Sequence, residues 1–349
     1  MLDNQVVDDG MVNRRMVIPV TQTDSRFQRL RALVVRPLAF YTTIVCGATL
    51  LAFLGRWSWF CDLLVNFRTH YALLLSVALA AAGVLRCWRV AAIAAVGLAL
   101  NLWPMHGVFT GSQSLPVAGA RSVRLVSFNV NVANGDMTGV AAYLESLQAD
   151  IVVFQEMTRA NADRVATLLP RLSQRFPGED PLAPDVLILS RWPLVAPQLV
   201  TRDGVVLALR ADVDLGDRRL RLYGAHLYWP VVPESARVRN AQLAALGREL
   251  AECRGPCVAV GDFNITPWSS HYRDLLEDSG FQDCARGQGW LPSWNTGLPA
   301  MLRIRIDQCL ASDAIRVERV RVGASLGSDH FATINEFSVA DATGRKKPP

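Results

Sequence analysis

A stretch without a charged side chain, from Pro37 to Gly55, constrains this chain more than any other feature. Its 19 residues read PLAFYTTIVCGATLLAFLG. At about 1.5 Å per residue, a helix of this length nearly crosses the roughly 30 Å hydrocarbon core of a bilayer. A secretory signal peptide fits poorly, because the 36-residue lead is too long and further apolar segments follow. The alternative is a buried helix of a soluble domain; we expect a membrane-spanning helix.

Two more apolar segments follow, Tyr71–Leu85 and Val90–Trp103, with 15 and 14 residues. Each is short for a span taken alone. The first reaches spanning length if it extends back to Leu63 and if Arg68 and His70 snorkel to the headgroups. The second can continue, because no Asp, Glu, Lys or Arg occurs in the next 17 residues. The sequence therefore predicts a membrane region with about three helices over residues 37–106. Tryptophans stand at the segment ends, as in an interfacial aromatic belt: Trp57, Trp59, Trp88 and Trp103.

The excess basic charge lies in the first third of the chain. The net charge is +5 and the pI is about 9.0, a balance typical of nucleic-acid-binding proteins. Residues 1–118 contain ten arginines and five aspartates, whereas residues 119–349 contain 26 basic and 26 acidic residues. Six arginines precede Pro37, and Arg86 and Arg89 separate the second and third segments. The positive-inside rule thus predicts a cytoplasmic N-terminus over residues 1–36, in a multi-pass protein of the inner (plasma) membrane. The C-terminal region would then lie on the periplasmic side.

Residues 121–339 have the pattern of an α/β domain. A linker with Gly, Pro and Ser over residues 107–120 precedes them, and a polar tail over residues 340–349 follows. Disorder is excluded as the dominant state, because 51% of the residues are hydrophobic and only 19% are charged. Apolar strand patterns alternate with amphipathic helix patterns, which favours one α/β domain. The predicted helices are Val140–Leu147, Ala160–Leu169 and Ser235–Glu252. The predicted strands are Val123–Val130, Ile151–Gln155, Val186–Ser190, Val205–Val213, Leu220–Leu227, Cys257–Gly261, Arg303–Leu310, Val317–Val322 and His330–Val339.

Polar side chains stand at the ends of several apolar strands, or within them. Because strand ends meet at one edge of a sheet, such side chains can converge on a site. A carboxylate in an apolar strand is costly unless it is paired or binds a cation. Any one of these residues could belong to a structural ion pair, but the set as a whole indicates a functional site. Its members are Asn129, Gln155, Glu156, His226, Asp262, Asn264, Asp307, Asp329 and His330.

These groups suit metal-assisted hydrolysis of a phosphoester. A hard cation such as Mg²⁺ takes oxygen ligands and keeps several waters. Glu156 is the obvious ligand, with Asn129, Asp262 or Asp329 completing the shell. Such a cation offsets the charge of the phosphate and of the leaving oxygen. A carboxylate with a histidine can orient and activate water, and an asparagine can position it.

The order of these motifs resembles that of the endonuclease/exonuclease/phosphatase superfamily, which includes deoxyribonuclease I. The similarity covers about residues 121–338 and implies a four-layer α/β/β/α sandwich. The N-terminal apolar region resembles that of membrane-anchored bacterial members. The motifs are Asn129, Gln155–Glu156, GDFN from Gly261 to Asn264, and SDH from Ser328 to His330, with LILSRWPL, AHL and RIDQCL in the expected order.

The resemblance also implies roles. Glu156 would be the principal metal ligand, with Asn129 nearby, and Asp329 would support the metal. Mg²⁺ would be the cofactor, with Mn²⁺ as an alternative. Asp262 belongs to the same predicted ligand set.

In catalysis, Asp262 would orient or deprotonate the attacking water, and Asn264 would help to hold the water or the phosphate. His330 would contact the scissile phosphate, and Asp307 would set its tautomer and charge. His226 would be a second phosphate-contacting or acid–base histidine, as in deoxyribonuclease I.

The sequence departs from the family pattern in places. Asn131 stands where many nucleases carry Asp, and the signatures of inositide 5-phosphatases around the GDFN and RID motifs are missing. The charge-neutral domain gives a nuclease no electrostatic support, although a local basic patch remains possible. Its candidate residues are Arg237, Arg239, Arg303 and Arg305. Trp229, Trp290 and Trp294 could stack on a base or a sugar, or could be packing residues.

The leading hypothesis is a membrane-anchored, divalent-metal-dependent phosphodiesterase of the nuclease type. Its partners would be the lipid bilayer and a phosphoester substrate, either nucleic acid or a phospholipid headgroup. One alternative is a phospholipid- or sphingomyelin-type phosphodiesterase or phosphatase. Another is a non-catalytic membrane receptor or scaffold on the same fold. No protein partner can be predicted. The sequence does not decide whether Cys253 and Cys257 form a disulfide.

Overall fold

A computed structural model describes residues 21–111, 121–177 and 185–339, with side chains from residue 31 onward. Most of the predicted basic N-terminus, most of the predicted linker and the polar tail lie outside the described residues. The helices in these ranges are α1 Thr21–Leu51, α2 Trp59–Val65, α3 Arg68–Val84, α4 Trp88–Phe109, α5 Met137–Ser146, α6 Arg159–Leu168, α7 Pro233–Ala251 and α8 Ser270–Ser279. The strands are β1 Arg121–Asn129, β2 Ile151–Gln155, β3 Gln174–Phe176, β4 Leu187–Ser190, β5 Leu194–Arg202, β6 Val205–Asp214, β7 Arg219–His226, β8 Cys257–Asp262, β9 Gln282–Asp283, β10 Asp307–Ala311, β11 Ile315–Val322 and β12 Thr333–Val339.

The strands form two six-stranded sheets that pack face to face. Their orders are β11-β12-β1-β2-β4-β3 and β5-β6-β7-β8-β10-β9. Apolar side chains from both sheets fill the space between them, among them Leu125 and Val153 from the first sheet and Leu222 and Val260 from the second. Helices α5 and α6 cover the outer face of the first sheet, and α7 and α8 cover that of the second. The predicted α/β/β/α sandwich is therefore confirmed.

Several elements differ from the sequence-based expectation. Strand β5 and helix α8 were not predicted. Strand β5 is an edge strand, half exposed and interrupted by Pro197, so its sequence lacks a clear alternation. The strand predicted from Arg303 begins only at Asp307, because Ile304 instead forms an isolated bridge to Trp294. Strand β12 likewise begins at Thr333, three residues after His330.

Helices α1, α3 and α4 pack together as the apolar N-terminal region. Two helical stretches, Arg31–Leu54 and Trp88–Phe109, are long and apolar enough to cross a membrane. The short helix α2 and helix α3 reach that length only as a pair, and they are bent against each other by 60°. The second segment therefore extends back to Leu63 only through a bend between α2 and α3, and not as one straight helix.

Arg68 and His70 do not snorkel as expected. The Arg68 side chain is buried, lies over the Phe53 ring at 4.3 Å and reaches the Leu100 carbonyl oxygen at 3.5 Å. The Nε2 atom of His70 lies 2.8 Å from the carbonyl oxygen of Leu302 in the C-terminal domain. Both side chains make contacts within the protein instead of reaching towards headgroups.

A disulfide joins Cys253 and Cys257 in the turn between α7 and β8. The question of a Cys253–Cys257 disulfide, which the sequence did not decide, is thus answered by the structure. Cys284 and Cys309 are buried and are not disulfide-bonded.

Candidate active site

The strand pairing brings the predicted site residues to one edge of the two sheets. Strands β1 and β2 run parallel, with Asn129 opposite Gln155, and Glu156 follows directly. Strands β7 and β8 are also parallel, with His226 opposite Asp262. The carboxyl ends of parallel strands meet at the same edge, which is where open α/β sheets form sites. The ends of these strands thus place polar side chains from both sheets in one cleft.

The first part of the site is a pair formed by Asn129 and Glu156. Asn129 Nδ2 donates to Glu156 Oε1 at 2.9 Å, and the backbone N–H of Val132 donates to Glu156 Oε2 at 3.1 Å. Glu156 has a left-handed backbone with φ = +55°, and so do Asn131 (+64°) and Asn264 (+50°). Such conformations are costly for residues other than glycine and cluster at functional sites.

Asp262 is the centre of the site and is 2% exposed. Its Oδ1 accepts from the backbone N–H of Asn264 at 2.9 Å, and its Oδ2 accepts from Asn129 Nδ2 at 3.1 Å. Burial raises the pKa of Asp262 to about 6, against the opposing effect of the nearby His330 and His226. A carboxylate with such a pKa is suited to taking a proton near neutral pH.

The close approach of β7 and β8 behind Asp262 requires Gly261. Its φ is +146°, and a Cβ at this position would lie 1.8 Å from the carbonyl oxygen of Ala225. A side chain here would separate the two strands that carry His226 and Asp262.

His330 and Asp307 form a buried pair beside Asp262. His330 Nδ1 lies 3.0 Å from Asp307 Oδ2, and His330 Nε2 lies 3.6 Å from Asp262 Oδ2. Burial disfavours the charged imidazole, but Asp307 and Asp262 outweigh this effect and raise the pKa of His330 to about 10. His330 therefore presents a positive charge to the cleft. One ligand atom each from Asp262, Asp307 and His330 lie within 4.8 Å of one another.

His226 has a partner that the sequence did not suggest. Its Nδ1 lies 2.8 Å from Asp185 Oδ2, while its Nε2 faces Asp262 Oδ2 at 3.9 Å. Burial opposes protonation of His226, but the hydrogen bond to Asp185 and the charge of Asp262 raise its pKa to about 9. The only signal for Asp185 in the sequence is its place two residues before strand β4.

Asp329 lies at the edge of the cleft, with both oxygens engaged. Asn131 Nδ2 donates to its Oδ1 at 2.8 Å, and Trp294 Nε1 donates to its Oδ2 at 2.9 Å. Burial favours the neutral carboxyl, but these two hydrogen bonds lower the pKa of Asp329. Asn131, which replaces an expected Asp, and Trp294 are thus polar parts of the site. The indole N–H of Trp294 binds Asp329, and the Trp294 side chain lines the cleft.

The cleft over these residues has a volume of about 720 Å³. Glu156, Asp262, His226, Asn264, Asp329 and His330 all line it. Asn129 and Asp307 lie beneath these residues, 0% and 5% exposed. Leu63, Asn66 and Phe67, from α2 and its junction with α3, form part of the wall, together with residues 227–231 after β7. The N-terminal region thus contributes directly to the cleft.

Two of the four candidate residues for a local basic patch are buried in ion pairs within the protein. Arg239 is fully buried in an ion pair with Asp62, and Arg305 is buried in an ion pair with Asp283. Arg303 stacks over Phe331, and Arg237 pairs with Glu234 of the same helix. All four arginines have partners within the protein.

The sequence model of the Endonuclease/Exonuclease/phosphatase family matches residues 126–330, more than half of the chain. The chain belongs to the endonuclease/exonuclease/phosphatase family. Members of this family are hydrolases that act on phosphoesters and generally use a divalent metal ion.

Solved structures share the fold of this endonuclease/exonuclease/phosphatase domain. A family protein from Beutenbergia cavernae has a TM-score of 0.51 and 22% identity, covering 63% of this chain and 72% of its own. A family protein from Bacteroides vulgatus has a TM-score of 0.54 and 18% identity, with 63% and 100% covered. D. rerio TDP2 complexed with a single-strand DNA product has a TM-score of 0.52 and 17% identity, with 62% and 98% covered. No curated protein matches the sequence at a significant level.

The donor set of this endonuclease/exonuclease/phosphatase site fits a hard divalent cation. Glu156 and Asp329 offer carboxylate oxygens along one cleft, as Mg²⁺ and Mn²⁺ prefer. Asn129 presents its Nδ2 to Glu156 and Asp262, while its Oδ1 accepts from the N–H of Asn131 at 3.1 Å. In this arrangement Asn129 orients the two carboxylates. Asp307 is engaged by His330, so the buried Asp262–Asp307–His330 cluster fits proton handling better than it fits a cation.

Proposed function

We propose that this protein is a membrane-anchored, divalent-metal-dependent phosphodiesterase. The observation that supports it best is the position of Asp262, whose Oδ2 lies 3.1 Å from Asn129 Nδ2 and 3.6 Å from His330 Nε2. The Asp262 carboxylate is thereby next to both the Asn129–Glu156 pair and the buried imidazole of His330. The rival, a non-catalytic receptor, gives no reason to keep this set of costly buried groups.

In the proposed mechanism, Glu156 would be the principal metal ligand, with Asp329 beside it, and Asn129 would orient the Glu156 and Asp262 carboxylates. The cation would polarise the phosphate and offset its charge. Asp262 orients the attacking water and accepts its proton, and Asn264 helps to hold the water or the phosphate.

The two histidines bind the phosphate in this mechanism. His330 donates from Nε2 to a phosphate oxygen, and Asp307 holds its Nδ1 and maintains its charge. His226 donates from Nε2 either to a phosphate oxygen or to the leaving oxygen, with Asp185 holding its Nδ1.

A direct assay tests the proposal. We expect the full chain in detergent to hydrolyse bis(p-nitrophenyl) phosphate with Mg²⁺ or Mn²⁺, and to lose this activity to a chelator and regain it when the metal is restored. Activity that survives thorough chelation would reject the metal-dependent mechanism, and complete inactivity under all metals would favour the receptor alternative. A parallel screen of DNA, RNA, phospholipid vesicles and phosphomonoesters then identifies the substrate class.

Nucleic acid is the first candidate substrate, because nuclease activity is a prominent property of the family. A phospholipid headgroup is the second, and the lining of the cleft favours it. Leu63 and Phe67 of the apolar N-terminal region line the cleft, and Tyr228 and Trp229 at its rim are 57% and 61% exposed. Exposed aromatic residues next to membrane helices suit the interface of a bilayer. The burial of Arg239 and Arg305 in internal ion pairs removes two of the four candidates for a nucleic-acid-binding patch.

We also propose that the catalytic domain lies on the periplasmic side of the inner membrane, as the arginine distribution indicates. Arg31 donates to the carbonyl oxygen of Arg86, so these arginines lie at one end of the helices, while α2 lies against the catalytic domain at the other. We expect a C-terminal alkaline phosphatase fusion to be active and a C-terminal green fluorescent protein fusion to be dark when exported unfolded. The opposite pattern would contradict this orientation.

A further inference from the structure

A buried ion pair joins the N-terminal region to the catalytic domain. Asp62 in α2 is 3% exposed, and Arg239 in α7 is 0% exposed. Arg239 Nη2 donates to Asp62 Oδ2, and Ser269 Oγ donates to Asp62 Oδ1 at 2.6 Å. Both carboxylate oxygens of Asp62 are therefore engaged by the catalytic domain.

The same junction contains a second polar contact and an apolar cluster. Asn66 Oδ1 accepts from the Oγ1 of Thr266 at 2.9 Å and from its backbone N–H at 3.3 Å. Trp268 packs in one cluster with Val65 and Met105 of the N-terminal region. Residues 266–269 are thus bound on one side by the N-terminal region over most of their length.

These contacts lead directly to the active site. Arg239 Nη1 donates to the carbonyl oxygen of Asn264 at 2.8 Å. The backbone N–H of Asn264 donates in turn to Asp262 Oδ1 at 2.9 Å, and Asn264 is held at φ = +50°. A continuous path of hydrogen bonds therefore runs from Asp62, through Arg239 and Asn264, to the carboxylate of Asp262.

Because Asp62 and Arg239 are both buried, this path of hydrogen bonds depends on the Asp62 carboxylate. A buried guanidinium without its carboxylate is strongly unfavourable, so Arg239 would have to move or recruit water if Asp62 were removed. Besides Asp62, Arg239 has two hydrogen-bond partners, Asn240 Oδ1 at 2.8 Å and the carbonyl oxygen of Asn264, whose backbone adopts a conformation that few residues hold unaided. A shift of the Asp262 carboxylate by about 1 Å can cost on the order of 10²-fold in rate.

We propose that Asp62 is a positioning residue for hydrolysis, and that α2 is part of the active site as well as of the membrane anchor. The inference depends on the proposed function only in that Asp262 acts on the phosphoester. It implies that the catalytic domain is incomplete when it is separated from the N-terminal region.

The test compares two aspartate variants in the full chain. Asp62→Asn removes the charge facing Arg239 and keeps the shape of the side chain. Asp274→Asn is the matched control, because Asp274 also bridges the two regions, to Arg56 at 2.6 Å, but this pair is partly exposed and Asp274 lies in α8 rather than in the loop of residues 263–269. We expect Asp62→Asn to lower kcat on bis(p-nitrophenyl) phosphate by about 10- to 100-fold with KM changed less than twofold. Asp274→Asn should stay within twofold in both.

A double variant separates positioning from general stability. Asp62→Leu with Arg239→Leu replaces the ion pair with apolar side chains, a change that often maintains or increases stability. It also removes the donor to Asn264, so we expect a normally folded protein that keeps the low kcat. Full activity in this double variant would show that the pair only stabilises the fold, and would overturn the proposal even if Asp62→Asn fails to fold.

Hydrogen exchange gives a readout that does not need activity. We expect faster deuterium uptake in residues 263–269 of the Asp62→Asn protein, with unchanged uptake in residues 151–157 and no change in the Asp274→Asn protein. Unchanged uptake in residues 263–269 would overturn the inference. A wild-type protein without hydrolytic activity would reject the proposed function, while this measurement would still decide whether Asp62 controls the loop.

Discussion

Replacing Asp262 with asparagine is expected to lower kcat by about 10²–10⁴-fold, the range typical of a positioned acid–base group. Asparagine keeps the acceptor for the Asn264 N–H, but it neither carries the negative charge that faces His330 nor takes a proton from water. The measurement is the initial rate on bis(p-nitrophenyl) phosphate at saturating Mg²⁺.

The control for this variant is Asp212→Asn on the same sheet. Asp212 pairs with Arg221 through two hydrogen bonds of 2.7 and 3.0 Å, and it does not line the cleft. We expect kcat of this control within a factor of two of the wild-type value. An Asp262→Asn protein that retains more than a third of the wild-type kcat would exclude Asp262 as the group that activates water.

Replacing Glu156 with glutamine is expected to weaken the binding of the metal more than any other single change in the cleft. The neutral amide removes one charge from a site for a hard cation, and we expect the midpoint of the Mg²⁺ dependence to rise by about 10- to 100-fold. Calorimetric titration with Mg²⁺ or Mn²⁺ measures this without a substrate. The exposed Glu145 on α5 provides the matched control, as Glu145→Gln.

Asp329→Asn tests the composition of the ligand set. Glu156 and Asp329 both line the cleft and each accepts two hydrogen bonds, so the assignment of Glu156 as principal ligand predicts a smaller loss of metal affinity for Asp329→Asn than for Glu156→Gln. Equal loss of metal affinity in the Asp329 and Glu156 variants would contradict the assignment of Glu156 as principal ligand.

The sequence predicted the catalytic fold because its central strands are uniformly apolar and end in polar residues. The apolar runs that form β1, β2 and β8 are buried over most of their length, so their composition and their periodicity both predict a buried strand. Strand β5 was not predicted, because an edge strand with a proline is neither uniformly apolar nor regularly alternating. The four layers followed from the family resemblance, which the topology confirms.

The partners of the site residues were harder to predict, because they depend on contacts between distant parts of the chain. Asp185 meets His226 across 41 positions, and Arg239 meets Asp62 across 177. Arg239 and Arg305 were candidates for a basic surface, because a count of charges does not show whether a charge is buried with a partner. Only the folded structure distinguishes an arginine that binds phosphate from one that closes an internal ion pair.

The strand order has a consequence for the timing of biosynthesis. Strand β12 lies between β11 and β1, with Ser127 opposite Thr333 and Arg121 opposite Val339. The ribosome delivers β1 some 200 residues before β12, so β1 waits with an open edge during nearly the whole synthesis of the domain. His330 arrives just ahead of β12. Because β12 and His330 are synthesised last, neither the complete first sheet nor the Asp262–His330 contact can form until nearly the whole domain has left the ribosome.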